Sequence, residues 1–309
     1  MWSVPAFSCG CLACVCRSGI QCYVAFVKAI NGVSEARLFP PKLEWLQAWA
    51  TLFRNSRTFT NYLGYARVGC LVVKADTSIF DHPAVKRAKQ SVAKAGLFTA
   101  RKKLWIRRER VGAMLSWAER HTEYLQFAYL FLLAYVFLLR LPSEALPVVV
   151  AAVEGGLEAQ SVLSLAGDEL VLRLRRRKNK ASGSRLVRKC WCKQCKRTCP
   201  IHVLGKFVQE FPAGSQIFSG ITAAGALTAL RHMLKSLEVA EHELYRTHDL
   251  RRGHALDLQC SGAPLWEILE AGEWTSPAFL RYLDLHRLDT ELAVQAHAGE
   301  SDSDSSSES

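Results

Sequence analysis

The chain has 309 residues, half of which are apolar, and it carries 40 Lys and Arg against 28 Asp and Glu, a net charge of +12. This length suffices for one large domain or two modest ones, and we favour two. Most of the eleven cysteines fall in two tight groups. That clustering excludes the evenly spread disulfide framework of a small secreted domain and favours a reducing compartment. The positive charge favours nucleic acid or an anionic membrane surface as partner.

The first 34 residues contain five of the cysteines within an apolar stretch, WSVPAFSCGCLACVCRSGIQCYVAFV. A secretory signal would carry a basic segment before its apolar part, and this stretch has none. We interpret 1–34 as a Cys-rich leader, for which two alternatives stay open: a secretory signal and a spurious leader that the mature protein lacks.

A small helical domain is predicted over 35–103. After Pro40-Pro41, three stretches show the apolar spacing of helices: LEWLQAWATLFR, FTNYLGYARVGCLVV and PAVKRAKQSVAKAG. The basic segment RKKLWIRRER follows, with apolar residues between its charges. We predict that its first three residues contact DNA phosphates: Arg101, Lys102 and Lys103.

A second domain is predicted over 104–290. Helices are expected over Arg110 to Glu119, over Tyr124 to Leu139 and again from about Thr222. Between them, SVLSLAG, DELVLRLRR and SRLVRKCW alternate in strand fashion and are separated by turn residues, which predicts a three-stranded sheet. The fold class is therefore mainly α with a small antiparallel β-sheet (α+β). The Ser-, Asp- and Glu-rich segment 291–309 is predicted to be disordered.

The most apolar run is FAYLFLLAYVFLL, residues 127–139. Thirteen residues fall short of the ~20 that a membrane-spanning helix requires, and Arg140 follows at once. We therefore predict a buried core helix and no membrane partner.

A second basic stretch runs from Arg173 to Arg197 and holds twelve Lys or Arg and no acid. Apolar residues between these charges indicate ordered structure, with basic side chains projecting in one direction as phosphate contacts require. Four of these residues are predicted to contact DNA: Arg175, Arg176, Arg177 and Lys180.

An ordered series of cationic and aromatic residues is suited to binding a small anion. In THDLRRGHALDL, a helix capped by Thr247 would place His248 and Arg251 on one face. Ser276-Pro277 is typical of a helix start and would present Tyr282 about a turn and a half further on. In chain order the series is Arg140, Lys178, His248, Arg251, Trp274 and Tyr282.

That order resembles the tyrosine recombinases, the phage-integrase family, over about residues 41–287. HDLRRGHALDL resembles the His-x-x-Arg helix of the family, FLLRLPSEAL its first-arginine motif, and RTFTNYLGYARVGC its helical core-binding domain. Trp274 lies where members carry His or Trp, and Tyr282 where the nucleophile is expected. LLRLPSEALP and WTSPAFLRYL are most similar to recombinases of eukaryotic mobile elements of the Crypton or DIRS kind.

The chain departs from the family pattern at three points. Many members carry an acid three residues after the first arginine, whereas here Pro142 is inserted and Glu144 comes at the fourth position. The interval from Trp274 to Tyr282 is eight residues, where nine is common. Both Lys178 and Lys180 fit the position of the hairpin lysine.

The resemblance implies a SAM-like core-binding domain that clamps DNA, followed by a catalytic domain that cuts and rejoins DNA through a 3′-phosphotyrosyl intermediate. Arg140 and Arg251 would hold the phosphate, His248 would take the proton of Tyr282, and Lys178 would protonate the leaving 5′-oxygen. Trp274 would donate its indole N–H to the phosphate. Catalysis would need no cofactor, and a homotetramer on double-stranded DNA in the nucleus is implied. Two alternatives remain open: a type IB topoisomerase-like enzyme and a domesticated, inactive DNA-binding protein.

The second cysteine group, CWCKQCKRTCPIH, follows the basic hairpin. Four ligands at this spacing can close a tetrahedral zinc site. We predict a structural zinc in an insert at 190–202, held by Cys190, Cys192, Cys199 and His202, with Cys195 as a substitute or a spectator. Reduced free cysteines are the alternative.

Overall fold

A computed structural model of the chain describes residues 12–31, 38–97, 102–151, 160–177, 180, 182–274, 280 and 282–284, and the side chains of 12–18 are excepted. The chain divides into two compact units, Met1–Lys102 and Lys103–Ser309. This division lies one residue before the predicted domain boundary. The predicted tail at 291–309 and the helix start at Ser276-Pro277 lie outside the described residues.

The first unit is helical. Its helices are α1 (Leu12–Asn31), α2 (Leu43–Ala50), α3 (Ser56–Val72) and α4 (Pro83–Lys94). The Asn55 side chain accepts the free N–H groups at the start of α3, and α4 begins on Pro83, whose fixed φ suits the first helical turn. Trp49 of α2 is fully buried at the centre of an aromatic core.

Part of the Cys-rich leader packs in the core of the first unit. Tyr23 and Val27 of α1 are fully buried there. The Tyr23 hydroxyl donates a hydrogen bond to the carbonyl of Leu38 (3.1 Å), and its ring meets that of Trp49 edge-on with centroids 5.2 Å apart. Helix α1, which lies within the predicted leader, therefore supplies part of this core.

The second unit contains the remaining helices: α5 (Arg108–Ala118), α6 (Leu125–Val136), α7 (Lys206–Gln209), α8 (Ala223–Ser236), α9 (His248–Cys260) and α10 (Leu265–Gly272). Helix α6 lies at its centre, and every residue from Leu130 to Val136 is buried. In the part of the chain that the structure describes, no helix has the length and apolarity that a bilayer crossing needs.

The sheet of the second unit has four strands in the order β1 (Val148–Val150), β2 (Ser161–Ala166), β3 (Glu169–Leu174) and β4 (Ser184–Lys189). The last three are antiparallel, with Leu172 opposite Leu163 on one side and Leu186 on the other. The predicted fold class is confirmed, but the sheet is mixed, because β1 pairs parallel to β2. Three valines in a row show no alternation, so this strand has no sequence pattern of its own.

The end of α6 fixes where Arg140 emerges from the core. Leu138 adopts a left-handed conformation (φ 51°), and the N–H of Leu139 reaches back to the carbonyl of Ala134 (2.9 Å). This is the geometry of a Schellman cap, in which glycine is usual, and a leucine there costs about 1–2 kcal/mol. The strain is offset by the burial of Leu138 itself, which is fully enclosed.

Helix α9 is held against α6 and the segment before α5 by buried polar contacts. Asp257 accepts hydrogen bonds from the Arg107 guanidinium (2.6 Å), the Arg108 N–H (2.8 Å) and the Tyr135 hydroxyl (2.7 Å). A Cβ at Gly253 would overlap the carbonyl of Ile106, so only glycine allows this approach. These contacts fix the helix that carries His248 and Arg251.

Replacing Tyr23 by Ala is expected to destabilise the first unit by about 3–5 kcal/mol, because it removes a fully buried ring from the core. Hydrogen exchange of the α2 and α3 amides in the full chain would measure the opening free energy. Cys22→Ala, at an exposed position on the same helix, is the matched control and should change it by under about 0.5 kcal/mol. Equal protection in the Tyr23→Ala variant would show that α1 contributes nothing to this core.

Candidate active site

Five of the six residues in the predicted series converge in the second unit. Arg140 lies at the end of α6, and His248 and Arg251 lie on the first turns of α9. Trp274 and Tyr282 come from the chain after α10. Lys178, the sixth residue, lies outside the described residues.

Tyr282 and His248 are in direct contact. The Tyr282 hydroxyl is 2.7 Å from Nε2 of His248. When the imidazole carries its proton on Nδ1, Nε2 accepts the phenolic hydrogen. The backbone at Tyr282 is held from the other side, since the Trp105 indole N–H donates to its carbonyl (3.0 Å). A phenol and a base are thus within proton-transfer distance.

Trp274 forms one wall of the site. Its ring stacks on that of Tyr282 with centroids 5.2 Å apart, and the Arg251 guanidinium lies over the Trp274 ring, 4.8 Å from its centroid. A Cβ at Gly272 would overlap the Trp274 ring, so the glycine that ends α10 lets the ring fold back. Trp274 therefore contacts both the phenol and the guanidinium.

Arg251 is 1% exposed. One terminal nitrogen, Nη2, donates to the carbonyl of Gly272 (2.8 Å), whereas Nε and Nη1 have no hydrogen-bond partner among the described residues. The nearest carboxylate oxygen to Nη1, on Glu144, is 3.7 Å away and too distant for a hydrogen bond. Burial and then the neighbouring Arg177 and Arg140 lower the pKa of Arg251 to about 10, so it stays cationic at neutral pH.

Glu144 lies between three guanidiniums. Its side chain is 2% exposed, and Arg140 binds it through both the backbone N–H (2.8 Å) and Nη1 (2.7 Å). Arg177 and Arg251 approach it to 3.5 and 3.7 Å. The turn Leu141–Ala145 is a π-helical turn, which is wider than an α-helical one and brings the fourth residue back toward the first. This wider turn accommodates the extra residue between Arg140 and Glu144. The Glu144 carboxylate therefore still lies near both Arg140 and Arg251.

Arg177 differs from the prediction that it contacts DNA. Its side chain is 3% exposed, and its guanidinium donates to Glu273 (2.7 Å) and to the carbonyl of Leu138 (3.2 Å). The charge of Arg177 is balanced inside the protein, because this residue of the β3–β4 hairpin contacts Glu273. We therefore withdraw Arg177 from the predicted DNA contacts.

Glu273 connects the hairpin to the site. It adopts a left-handed conformation (φ 48°) at the end of α10 and accepts hydrogen bonds from Arg177, Ser184 and Lys180, whose ammonium is 3.2 Å away. Burial opposes its ionisation, but the hydrogen bonds from Ser184, Arg177 and Lys180 outweigh burial and hold the pKa of Glu273 below its usual range. Of the two candidate lysines, Lys180 is therefore engaged with a carboxylate.

The other predicted DNA contacts are exposed where they are described. Lys102 and Lys103 lie at the junction between the units, and Arg175 and Arg176 lie at the end of β3. Arg101 lies outside the described residues.

His248 is neutral at physiological pH. Burial lowers its pKa first, the charges of Arg251, Arg252 and Arg140 lower it further, and the value falls from 6.5 to about 4. A neutral imidazole can accept a proton from Tyr282, and an anion bound among the arginines would oppose their effect and strengthen the base. His254, also on α9, has a different setting: it is buried, stacks on Tyr135 and bonds the carbonyl of that residue (2.6 Å), a structural role.

The predicted metal ligands also come together, away from this site. Nδ1 of His202 is 3.5, 3.1 and 3.4 Å from Sγ of Cys190, Cys192 and Cys199. The four ligand atoms all lie within 4.8 Å of one another, and Cys195 is not among them.

The architecture is that of the tyrosine recombinases, a mainly helical fold with a small sheet. Neither the comparison with protein-family models nor that with curated proteins finds a match to this chain. Solved structures do match. The integrase of the Tn1549 transposon (residues 82–397), in complex with circular intermediate DNA, aligns with a TM-score of 0.51 and 11% identity, over 89% of this chain and 98% of that one.

The site-specific recombinase XerH is a second structural neighbour. Its post-cleavage complex with a palindromic difH substrate aligns with a TM-score of 0.56 and 15% identity, over 94% of this chain and 84% of that one. At such identities the likeness shows the fold, and the role of each side chain depends on the geometry described above.

Three residues of the site were not predicted in the places where the structure has them. They are Glu273, Trp105 and Arg177, and the last of these was expected to be exposed. Glu273 had no signal, because acids recur before it at Glu267 and Glu270 and nothing in the pattern distinguishes the third. Trp105 had none, since its partner Tyr282 lies 177 residues away along the chain. Arg177 was concealed within a run of basic residues that looked uniformly exposed.

The lowered pKa of His248 predicts a pH dependence of stability. Between about pH 6.5 and 4 the unfolded chain binds a proton at this residue and the folded chain does not, so stability is lost as the pH falls through that window. The free energy of unfolding can be measured by chemical denaturation at several pH values from 4.5 to 7.5. In His248→Gln it should depend less steeply on pH than in the native chain, by up to roughly 1.4 kcal/mol per pH unit. His242→Gln, on the turn before α9, is the control. Identical slopes for His248→Gln and the native chain would contradict this electrostatic account.

Proposed function

We propose that this protein is a tyrosine recombinase that cuts and rejoins DNA through a covalent bond between Tyr282 and a 3′-phosphate. The observation that carries the proposal is the contact of the Tyr282 hydroxyl with His248 (2.7 Å) beside Arg251, a buried guanidinium whose Nε and Nη1 have no hydrogen-bond partner in the described part of the chain. A nucleophile, a base and an oxyanion-binding group occur together in one pocket.

The charge of the site supports a phosphodiester as the ligand. Among the described residues, two carboxylates of the site, Glu144 and Glu273, are shared by four cations: Arg140, Arg177, Lys180 and Arg251. An anion would balance the excess, and the planar donor edges of arginine match the non-bridging oxygens of phosphate. Arg140, which is 28% exposed, and Arg251 are the two that we assign to the phosphate.

The reaction follows from the geometry. The phenolic oxygen attacks phosphorus as its proton passes to Nε2 of His248, and the bond from phosphorus to the 5′-oxygen breaks. Arg140 and Arg251 stabilise the charge that gathers on the non-bridging oxygens, and loss of one such donor typically costs ~3–4 kcal/mol in the barrier. Trp274 holds the phenol in line by stacking, and we assign its indole N–H to the phosphate. Religation runs the same steps in reverse.

The leaving 5′-oxygen needs a proton, which we assign to Lys178. Lys180 is the competing candidate, but its ammonium is engaged by Glu273. Lys178 precedes Lys180 by two residues in the sequence, and a lysine ammonium can donate a proton to a leaving oxygen.

The partner that we propose is double-stranded DNA, bound by exposed basic residues that include Lys102, Lys103, Arg175 and Arg176. Two observations support this proposal: the net charge of the chain and the DNA present in the structure of the Tn1549 integrase. We further propose a homotetramer on DNA, a nuclear location and an origin in a mobile element of the Crypton or DIRS kind. These rest on the sequence resemblance.

Covalent trapping tests the nucleophile. With a library of randomised duplexes that carry a nick beside the site of cleavage, the native chain should retain DNA through a denaturing gel, and Tyr282→Phe should retain none. Tyr245→Phe is the matched control, because Tyr245 is a buried tyrosine of the same unit whose hydroxyl binds Arg110. An adduct on Tyr282→Phe would refute the assignment.

The same experiment separates the alternatives. Relaxation of supercoiled plasmid without preference for sequence would indicate a type IB topoisomerase. Salt-sensitive DNA binding with no adduct on any duplex would indicate a domesticated binding protein.

A bridging sulfur at the 5′ position tests the general acid. Lys178→Ala should slow cleavage of ordinary DNA by ~10²–10⁴-fold, since the leaving oxygen lacks a proton donor. A 5′-thiolate leaves without a proton, so the sulfur substrate should restore the rate. Lys180→Ala should have a smaller defect that sulfur does not repair. If the sulfur substrate restored the rate of Lys180→Ala and not that of Lys178→Ala, Lys180 would be the general acid instead of Lys178.

A further inference from the structure

The loop after β4 gathers three thiols and an imidazole at one point. Cys190 and Cys192 come from the end of the strand, and Cys199 and His202 come from the turn that leads into α7. Their ligand atoms lie within 4.8 Å of one another. Tetrahedral zinc, with Zn–S distances of about 2.3 Å and a Zn–N distance of about 2.0 Å, brings its ligand atoms to separations of this size.

The donor set selects the metal. Three thiolates and one imidazole suit zinc and exclude magnesium and calcium, which prefer oxygen ligands. All four positions of a tetrahedron are filled by protein, as in structural sites and unlike catalytic ones, which keep one position for water. Cys195 lies outside the cluster, so the chain contains its own comparison cysteine.

The loop is anchored to the rest of the second unit through Trp191, which lies between two of the ligands. The Trp191 indole N–H donates to the carbonyl of Thr198 (2.8 Å), and its ring meets His254 of α9 edge-on, 5.8 Å between centroids. Arg108, at the start of α5, lies over the same ring at 5.4 Å and also binds Gln194. The loop therefore contacts both α5 and the helix that carries His248 and Arg251.

We propose that Cys190, Cys192, Cys199 and His202 bind one structural zinc ion, which ties the end of β4 to the turn before α7 and keeps Trp191 against α9. The site is separate from the chemistry at Tyr282, so the zinc proposal and the proposed function can fail independently. Without the metal, the thiols and the imidazole share weak hydrogen bonds that involve sulfur, whereas a zinc ion would join all four.

The test uses the full chain, purified without chelator. Metal analysis should find one zinc per chain in the native protein and in Cys195→Ser, and much less than one in Cys192→Ser. Equal zinc in Cys192→Ser and Cys195→Ser, or under-stoichiometric zinc in the native chain, would overturn the site.

Cobalt replacement keeps the proposal testable if Cys192→Ser fails to fold. Co²⁺ exchanged into the native chain should give the visible absorption of tetrahedral cobalt together with thiolate charge-transfer bands, and Cys195→Ser should leave both unchanged. A spectrum of octahedral cobalt, or a disulfide between Cys190 and Cys199, whose sulfurs are 3.7 Å apart, would refute the zinc site.

Discussion

The site depends on one buried carboxylate, Glu144, which brings together side chains from three separate parts of the second unit. Arg140 comes from the end of α6, Arg177 from the hairpin and Arg251 from α9, and each lies within 3.7 Å of it. A buried guanidinium without a counter-charge costs several kcal/mol. Arg177 also has Glu273 at 2.7 Å, whereas for Arg251 the carboxylate at 3.7 Å is that of Glu144. Glu144 supplies one negative charge to three cations, which holds them together and leaves positive charge for a ligand.

The backbone is shaped to deliver this carboxylate. A left-handed leucine ends α6, and a π-helical turn follows at once, two uncommon conformations within a few residues. Such strain persists where the surrounding packing fixes it, and it is concentrated at functional sites. Here its effect is to direct the Arg140 and Glu144 side chains into the same pocket as His248. Neutral His248 beside Tyr282 then gives the pocket a base as well as an anion-binding surface.

Helices and strands with a local sequence pattern could be predicted from the sequence. Features that depend on contacts between residues far apart in the chain could not. Helices α2 to α6 and those from α8 onward, the strands β2 to β4, and five described residues of the site were accessible from periodicity and motif order. The short strand β1, the burial of Tyr23 against Trp49 and the pairing of Trp105 with Tyr282 were not, because each depends on a partner elsewhere in the chain. Arg177 shows the limit of composition: a run of basic residues does not reveal which of them turns inward.

The central claim is that Tyr282 is the nucleophile that forms the covalent bond to DNA. Mass spectrometry of a trapped complex tests this claim directly. After digestion with nuclease and trypsin, the account predicts a nucleotide mass on the peptide 282–287, which begins with Tyr282, and on no other tyrosine peptide. A nucleotide found on a different residue, with the peptide 282–287 unmodified, would contradict it.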